Sequence, residues 1–528
     1  MPPHRPQVTM VLRQHSHICR AFVLIAGVSA LLASSVTVAS AGSDLDNDGR
    51  DDLVVGVPDE DVAQVDSAGS INIFEGGAGG ITARGDKLFT QASLGGTVEA
   101  LDRFGNAITY GDFNGDGFDD VAVGAPTEDF GGDRDAGVVH IIYGSENGVR
   151  ARNNQLVSQV GKMAGKNEAG DFFGTDLASG DIDGDGFDDL VVGVSGENVA
   201  GKIGAGAIIV AYGGRNGIKT RGSQSLSQKG RVPGVAEDYD AFGVAVAVGD
   251  FNNDGFDDVA VGAPGEGVAG QANAGNVTVL YGRSAGLNRD GRSFAQTGLV
   301  PGGNEAGDDF GNALTAGDFN GDGFDDVAVG VPGEDVGAAV DAGAVVLLLG
   351  TPAGITDAGA QFITQESGPL GASEEGDRFG RVLAAGNFNG DRLGDNSLDD
   401  LAVGSPNEGI GAFVDVGRVA VLPGSAGGLD PASATNITQG PLPKAKNEND
   451  DYLGASLRTG DFDGNNVDDL VIGSPREDVG TKRNSGVIYV AYGSTSDGLD
   501  VSGASRIHQG TRNVNGRAEA QDLFGTGL

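Results

Sequence analysis

A short acidic segment recurs along the chain with residue types that could hold a metal ion. One copy reads GDFNGDGFDDVAVGAP over residues 111–126, and close copies occupy 180–195 and 317–332. Carboxylates this close together repel one another unless a cation or a proton neutralises them. Each segment is therefore either a solvated acidic turn, since Asp, Asn and Gly are common turn formers, or a cage for a hard cation.

Seven copies of this segment, here called the acidic loops, are present. Their first residues are Asp44, Asp112, Asp181, Asp250, Asp318, Asn387 and Asp461. In the five regular loops, positions 1, 3 and 5 are Asp or Asn, position 6 is Gly and position 9 is Asp. The glycine permits a tight turn, alternate side chains converge on one point, and the position-7 carbonyl can add an oxygen. Calcium takes six to eight oxygen ligands, whereas magnesium requires stricter geometry and zinc prefers Cys and His.

The five regular loops therefore predict calcium sites. The expected ligands are Asp44, Asp46, Asp48, Asp52, Asp112, Asn114, Asp116, Phe118, Asp120, Asp181, Asp183, Asp185, Phe187, Asp189, Asp250, Asn252, Asp254, Phe256, Asp258, Asp318, Asn320, Asp322, Phe324 and Asp326. Position 12 is Val in each of these loops, where an EF-hand has a bidentate Glu. Each loop is therefore expected to join two strands rather than two helices.

The last two acidic loops depart from the pattern. The expected ligands of the seventh are Asp461, Asp463, Asn465 and Asp469. Asn466 replaces its glycine, so weaker binding is expected. The sixth, NFNGDRLGDNSLDD, carries five extra residues, and the sequence leaves its metal binding open. We expect five calcium sites and up to seven.

The spacing of the loops predicts a repeat fold. Each repeat contains a Phe-Gly segment, an acidic loop, a run such as DDVAVGAP, a run such as AGVVHIIYG (136–144) and a weaker segment that usually centres on a Gln, as in LVSQ (156–159). Runs of Val, Ile and Ala bounded by Gly, Asp and Pro are typical of strands. Four strands per repeat indicate an all-β protein, a β-propeller with four-stranded blades.

The two ends of the chain predict how this propeller closes. Residues 42–53 begin with an acidic loop that lacks a preceding Phe-Gly, and the chain ends QDLFGTGL, a Phe-Gly with no loop behind it. Joining the ends restores the spacing of the internal repeats. We therefore expect a single domain over residues 42–528, a seven-bladed ring closed by the C-terminal strand pairing with the N-terminal strands, which leaves no open sheet edge.

Residues 1–41 have the layout of a secretory signal peptide. They carry Arg5, Arg13 and Arg20, no acidic residue, an apolar run over 21–33 and a small-residue cleavage signal ending at Ala41. No later segment predicts a membrane span. We therefore expect a secreted, extracellular or cell-surface protein, with the periplasm left open. The net charge of −41 disfavours nucleic acid and anionic membranes as partners.

In combination, these motifs resemble the FG-GAP repeats of the integrin α-subunit N-terminal propeller. The motif after the second strand is VGVP at 55–58, VGAP at 123–126 and IGSP at 472–475. Departures include Leu453 in place of Phe and Ser195 in place of Pro. The resemblance implies an extracellular seven-bladed propeller used for binding, with calcium in some of its blades. It does not identify the partner.

We expect a non-enzymatic, monomeric adhesion or interaction module that binds a protein or cell-surface ligand. The binding rim should lie opposite the acidic loops, where long segments such as 125–137 and 474–486 occur. Two alternatives are a hydrolase of the phospholipase or polysaccharide-degrading type found with such propellers, and a passive structural surface protein. His140 is interpreted as a core or rim histidine, and Arg84-Gly85-Asp86 as a chance match to an integrin-binding tripeptide.

Overall fold

Strands and tight turns account for nearly all of the regular structure in residues 43–528, the part of the chain that the computed structural model describes. The predicted signal peptide, residues 1–41, lies outside these residues. Three short 3₁₀ helices occur at Gln91–Leu94, Gln365–Ser367 and Pro431–Ser433. No helix in the described part of the chain is long and apolar enough to cross a membrane.

The strands of the first four blades, numbered in chain order, are β1 Leu53–Val57, β2 Ser70–Phe74 and β3 Lys87–Phe89; β4 Ile108–Gly111, β5 Asp120–Ala125, β6 Val138–Ile142 and β7 Asn154–Val157; β8 Phe173–Gly180, β9 Asp189–Val194, β10 Ala207–Ala211 and β11 Gln224–Leu226; β12 Val246–Gly249, β13 Asp258–Ala263, β14 Asn276–Leu280 and β15 Arg292–Phe294. Each set forms its own antiparallel sheet.

The remaining blades contain β16 Ala313–Gly317, β17 Asp326–Val331, β18 Ala344–Leu349 and β19 Thr356–Ile363; β20 Val382–Gly386, β23 Asp400–Ser405, β24 Arg418–Leu422 and β27 Thr435–Ile437; β28 Ser456–Gly460, β29 Asp469–Ser474, β30 Val487–Tyr492 and β31 Asp500–Ile507. Two small hairpins extend the sixth blade: β21 Arg392–Leu393 with β22 Asn396–Ser397, and β25 Gly424–Ser425 with β26 Gly428–Leu429.

Within each blade, consecutive strands pair in sequence order, so the chain runs as a simple meander. The first strands of neighbouring blades pack side by side, β4 with β8, β8 with β12, β12 with β16, β16 with β20 and β20 with β28. This arrangement is the predicted seven-bladed β-propeller. The acidic loops, which join first to second strands, all lie at one rim. The loops between second and third strands and the segments that join blades form the opposite rim.

Apolar side chains from facing blades fill the space between the sheets. Every residue of β5, DVAVGA, is buried, and the same holds for its counterparts β9, β13 and β17. The Phe of each Phe-Gly motif is also buried, as shown by Phe104 and Phe242, which are 0% exposed. Because both faces of the second strands are covered, their sequences are apolar rather than alternating.

The Phe-Gly and VGAP motifs meet each other across the blade junctions. A Cβ atom at Gly124, in the VGAP of the second blade, would lie 2.4 Å from the carbonyl oxygen of Gly174, in the Phe-Gly of the third. The first blade makes the same approach to the second, where a Cβ atom at Gly56 would lie 2.0 Å from the Gly105 oxygen. No side chain fits at these positions. The glycine of VGAP therefore sets how closely neighbouring blades approach.

The C-terminal residues complete the first blade, as predicted. Gly527 forms an antiparallel bridge with Gly56, whose N–H donates to the Gly527 carbonyl at 2.6 Å. Phe524 and Leu528 are buried in the cluster that joins the first blade to the seventh. The last residues of the chain thus take the place of the missing innermost strand.

His140 and the Arg84-Gly85-Asp86 tripeptide, to which the sequence assigned no binding or catalytic role, both have defined places in the fold. His140 is buried on β6 and packs edge-to-face against the Phe104 ring, with the two ring centroids 5.4 Å apart. Burial lowers the pKa of its imidazole to about 4. The Asp86 carboxylate of the Arg-Gly-Asp tripeptide accepts hydrogen bonds from Asn72 Nδ2 at 3.0 and 3.1 Å and is 7% exposed. Asp86 is therefore part of the fold and is not displayed for a partner.

Removing the ring closure should destabilise the whole propeller. Phe524→Ala empties a fully buried site and should lower the free energy of unfolding by about 3–5 kcal/mol. Deletion of residues 522–528 should cost more, because the bridge to Gly56 is lost as well. Urea unfolding measures both, with Phe413→Ala, at a 44% exposed position, as the control. A Phe524→Ala cost no larger than that of the control would contradict the closure.

Candidate metal centres

The first carboxylate of each regular loop is held at the centre of a tight turn by backbone donors. In the third loop, Asp181 Oδ1 accepts from the Asp185 N–H at 3.0 Å, and Oδ2 accepts from the Gly186 N–H at 2.9 Å. The other regular loops repeat this arrangement. The chain therefore curls around position 1, which brings other polar side chains of the loop toward it.

Three loops bring three carboxylates together. The groups, within each of which the carboxylate oxygens lie no more than 4.8 Å apart, are Asp44–Asp46–Asp48, Asp181–Asp183–Asp189 and Asp461–Asp463–Asp469. Asp46 Oδ1 and Asp183 Oδ1 are buried and have no hydrogen-bond partner. A buried carboxylate oxygen without a donor is unfavourable unless a water molecule or a cation contacts it. The donor set and these orphaned oxygens fit a hard cation.

The second, fourth and fifth loops have Asn at position 3, and its amide faces the position-9 carboxylate. The Nδ2 atom of Asn114 lies 3.3 Å from both Asp120 oxygens, and that of Asn252 lies 3.2 Å from Asp258 Oδ2. Asn320 is placed in the same way against Asp326. Rotation of the amide exchanges its nitrogen and oxygen, so the same side chain can offer Oδ1 to a cation. These loops also fit.

The position-9 aspartate is the most buried member of each loop. Asp120 and Asp189 are 0% exposed, and Oδ1 of Asp120 accepts from the Gly144 N–H at 2.9 Å. Burial, with further contributions from Asp112 and Asp116, raises the pKa of Asp120 to about 8, and burial likewise raises the pKa of Asp189 to about 8. The negative charge is thus unfavourable there without a cation, which would favour the ionised form.

The predicted position-7 residues have a packing role in addition to the one expected for their carbonyls. A Cβ atom at Gly115 would lie 2.4 Å from Cε1 of Phe187, so the Phe187 ring lies against the preceding loop. Phe256 packs on Gly184 in the same manner. Phe118 and Phe324 have N–H groups that donate to the position-5 carboxylates of their own loops.

The two irregular loops differ from each other. In the seventh, Asn466 adopts φ of 62° at the usual glycine position, so the turn and the convergence of its three carboxylates are retained. Weaker binding there stays a prediction. In the sixth, the insertion forms the hairpin β21–β22, and Asn387 Nδ2 donates to the Asp391 carbonyl and to Ser397 Oγ. The Asn387 Oδ1 atom has no partner.

The aspartate at position 8, for which the sequence predicted no role, links neighbouring loops. Asp257 Oδ2 accepts from the Asp181 N–H of the preceding blade at 2.8 Å. The same bond occurs at every junction, and the acceptors are Asp51, Asp119, Asp188, Asp257, Asp325, Asp399 and Asp468. The signal was the Asp-Asp pair present in all seven loops. Its first member joins the loops into a ring, and its second is the position-9 residue of each candidate metal centre.

The FG-GAP repeat model matches this chain at residues 35–74, 104–142, 173–210, 242–280, 310–348 and 453–490. Integrin alpha-5 of Xenopus laevis is 33% identical over 199 residues, 37% of this chain and 17% of that protein. Integrin alpha-PS2 of Drosophila melanogaster is 30% identical over 274 residues, 49% of this chain and 18% of that protein.

A further relative is an enzyme by name. Phosphatidylinositol-glycan-specific phospholipase D of Bos taurus is 32% identical over 184 residues, 35% of this chain and 20% of that protein. The matched segments thus span a fifth or less of each of these relatives. Among solved structures, the exotype rhamnogalacturonan lyase YesX covers 84% of this chain and 66% of its own, at 12% identity and a TM-score of 0.35, which is too low to support a functional argument.

Removing one linking aspartate should loosen one junction. Asp257→Ala leaves the Asp181 N–H without its acceptor, which should lower the free energy of unfolding by about 1–3 kcal/mol in calcium-containing buffer. Amide hydrogen exchange should accelerate at Asp181. Asp357→Ala, at a partly exposed position in β19, is the control. Unchanged exchange at Asp181 would show that the bond does not hold the loop.

Proposed function

Since the chain is an FG-GAP repeat protein similar to integrin α-subunits, we propose that it is an exported, calcium-stabilised propeller that binds another protein through the rim opposite the acidic loops. It acts as an adhesion or interaction module and not as an enzyme. The observation that carries the proposal is the concentration of exposed apolar side chains at that rim.

Large exposed apolar residues are not scattered evenly over the described surface. All except Leu156 and Leu393 lie in loops of the opposite rim: Leu101, Val160, Ile203, Val235, Tyr239, Leu299, Val340, Phe413 and Val414. Exposed apolar groups that cluster are typical of interaction sites, whereas isolated ones are not. Acidic residues surround them, which favours a partner with basic groups.

One part of this rim combines two loops. The Tyr239 N–H donates to the Ile203 carbonyl at 2.8 Å, so the segment before the fourth blade lies beside the loop after β9. The two side chains are 55% and 58% exposed. Tyrosine contributes a large contact area with little conformational entropy to lose, which suits a binding surface. The propeller supports these loops on a rigid scaffold.

Calcium in the acidic loops is the second part of the proposal. The ligand types, their convergence and the orphaned oxygens of Asp46 and Asp183 support it. We propose occupancy of the five regular loops, with the sixth and seventh as additional sites. Bound calcium would clamp the connection between the first two strands of each blade, because its ligands come from both ends of that connection.

Calcium removal should lower the stability of the chain. A ligand that binds only the native state stabilises it by RT ln(1 + [L]/Kd) per site, about 2.7 kcal/mol at a hundredfold excess over Kd. Thermal melting in EDTA should therefore occur well below melting in calcium. Magnesium at the same concentration should restore less, because it requires stricter geometry. A melting temperature indifferent to calcium would refute this part of the proposal and leave the rim untested, so the two parts can fail separately.

Cell attachment tests the binding rim. Surfaces coated with the protein should retain cells in calcium, and Tyr239→Ala combined with Ile203→Ser should abolish retention without changing the melting temperature. Leu156→Ser, at a 39% exposed site on β7 outside this rim, should leave attachment intact. Absence of attachment, or attachment unaffected by the rim variant, would reject the adhesion role. Assays of phospholipid and polysaccharide cleavage by the same preparation test the enzyme alternative.

A further inference from the structure

A glutamine at or just after the end of the fourth strand of each blade contacts a glutamate of the next blade. Gln228 Nε2 donates to Glu266 Oε2 at 2.6 Å, and Glu266 follows the second strand of the fourth blade. The other pairs are Gln91–Glu128, Gln159–Glu197, Gln296–Glu334, Gln365–Glu408, Gln439–Glu477 and Gln509–Glu60. These residues lie at the rim opposite the acidic loops, on a regular sevenfold pattern.

An aspartate two residues before each Phe-Gly motif, or before Leu453-Gly454 in the seventh repeat, joins the pair. Asp102 lies close enough to Glu128, and Asp240 close enough to Glu266, for their negative charges to interact. We call each Gln–Asp–Glu group a junction cluster. The seven aspartates are Asp102, Asp171, Asp240, Asp308, Asp377, Asp451 and Asp522. All are at most 2% exposed.

The junction clusters contain buried oxygen atoms without a donor. The Oε1 atom of every cluster glutamine lacks a hydrogen-bond partner, although these side chains are at most 4% exposed. In two clusters, Oδ1 of Asp171 and Oδ1 of Asp240 are also unpartnered, and both residues are 0% exposed. Nε2 of the same amide contacts the glutamate, and rotation of the amide would exchange it with the orphaned Oε1, which can then face the cluster. Such burial is costly unless a hydrogen-bond donor, a water molecule or a positive charge contacts these oxygens.

Two clusters contain their own positive charge. Arg418 forms an ion pair with Glu408 at 2.9 Å, and Arg506 lies 3.6 Å from Glu477. Among residues 43–528, the glutamates of the other five clusters have no Lys or Arg within ion-pair distance. In two junctions an arginine thus supplies positive charge to the glutamate, whereas in the other five no Lys or Arg forms an ion pair with it. This contrast indicates that the five clusters without an arginine require a positive charge from another source.

We infer that the five junction clusters without an arginine bind a hard cation, calcium or sodium, through the two carboxylates and the glutamine Oε1. These three ligands are oxygens of the kind that such ions prefer, and water completes the coordination. The ion joins two blades, because the glutamine comes from one blade and the glutamate from the next. The sites are separate from the acidic loops, and the inference does not rest on the proposed function.

Anomalous diffraction tests the inference with an internal control. Crystals grown in calcium, and matched crystals in which thallium(I) replaces sodium, should show anomalous peaks in contact with Gln228, Asp240 and Glu266 and in the four equivalent clusters. The clusters of Arg418 and Arg506 should show none. Peaks with calcium only, or with thallium only, identify the ion. Water or direct carboxyl–carboxyl contacts in all five clusters, or equal peaks in the arginine clusters, would overturn the inference.

Cation stoichiometry in solution provides a second test. Asp240→Asn combined with Glu266→Gln should lower the number of bound cations by about one per chain, measured by equilibrium dialysis and elemental analysis. Asp451→Asn with Glu477→Gln, in an arginine cluster, is the matched control and should leave the number unchanged. An unchanged number in the first variant would overturn the inference.

A substitution that adds a positive charge provides a third test, which applies even if the variant Asp240→Asn with Glu266→Gln does not fold. Ser293 pairs with Thr278 as Arg506 pairs with Tyr489, so Ser293→Arg places a guanidinium beside Glu266. This variant should also bind about one cation fewer, while its melting temperature in EDTA should rise above that of the unmodified chain. Unchanged stoichiometry with a folded Ser293→Arg protein would contradict the inference.

Discussion

Repulsion between carboxylates that the fold holds close together is the constraint on which the rest of this propeller depends. The third acidic loop brings the carboxylates of positions 1, 3 and 9 to one point, and the first loop brings together those of positions 1, 3 and 5. Backbone N–H groups stabilise the carboxylates, as Gly186 does for Asp181, but they carry no net charge. Residues 43–528 contain no cysteine, so disulfides do not hold these loops. A bound cation would relieve the repulsion and stabilise the connection at the same time.

The glycine contacts at the blade junctions determine where these charges meet. Because Gly56, Gly124 and their counterparts admit a carbonyl oxygen of the next blade, neighbouring first strands approach closely. The acidic loops that follow those strands are then near enough for the position-8 carboxylate to accept from the preceding loop. A larger residue in the VGAP motif would separate the blades and break that ring of hydrogen bonds. The apolar packing and the electrostatic links are therefore coupled through one small residue.

The fold was predictable because each repeat contains the motifs that specify one blade. The contacts between blades were not predictable, because they join residues of different repeats. The period, the Phe-Gly, the acidic loop and the VGAP motif predicted seven blades, and the end segments predicted the closure that Gly527 makes with Gly56. The convergence of Asp181, Asp183 and Asp189 was also predicted from spacing. Asp257 and Gln228 were not assigned roles, because each bonds to a residue in a neighbouring repeat. Within one repeat, the sequence identifies Asp257 only as a turn residue and Gln228 only as a residue at the end of a strand.

The two rims differ in where their carboxylates lie, and this difference affects which rim can bind a partner. Carboxylates at the acidic-loop rim accept hydrogen bonds from backbone donors and form the candidate metal centres, so a partner there would compete with any cation that they bind. At the opposite rim the junction carboxylates are buried beneath the loops, while Ile203 and Tyr239 remain exposed above them. A partner can therefore cover apolar surface there without displacing a cation, and the junction clusters would keep the supporting blades in register.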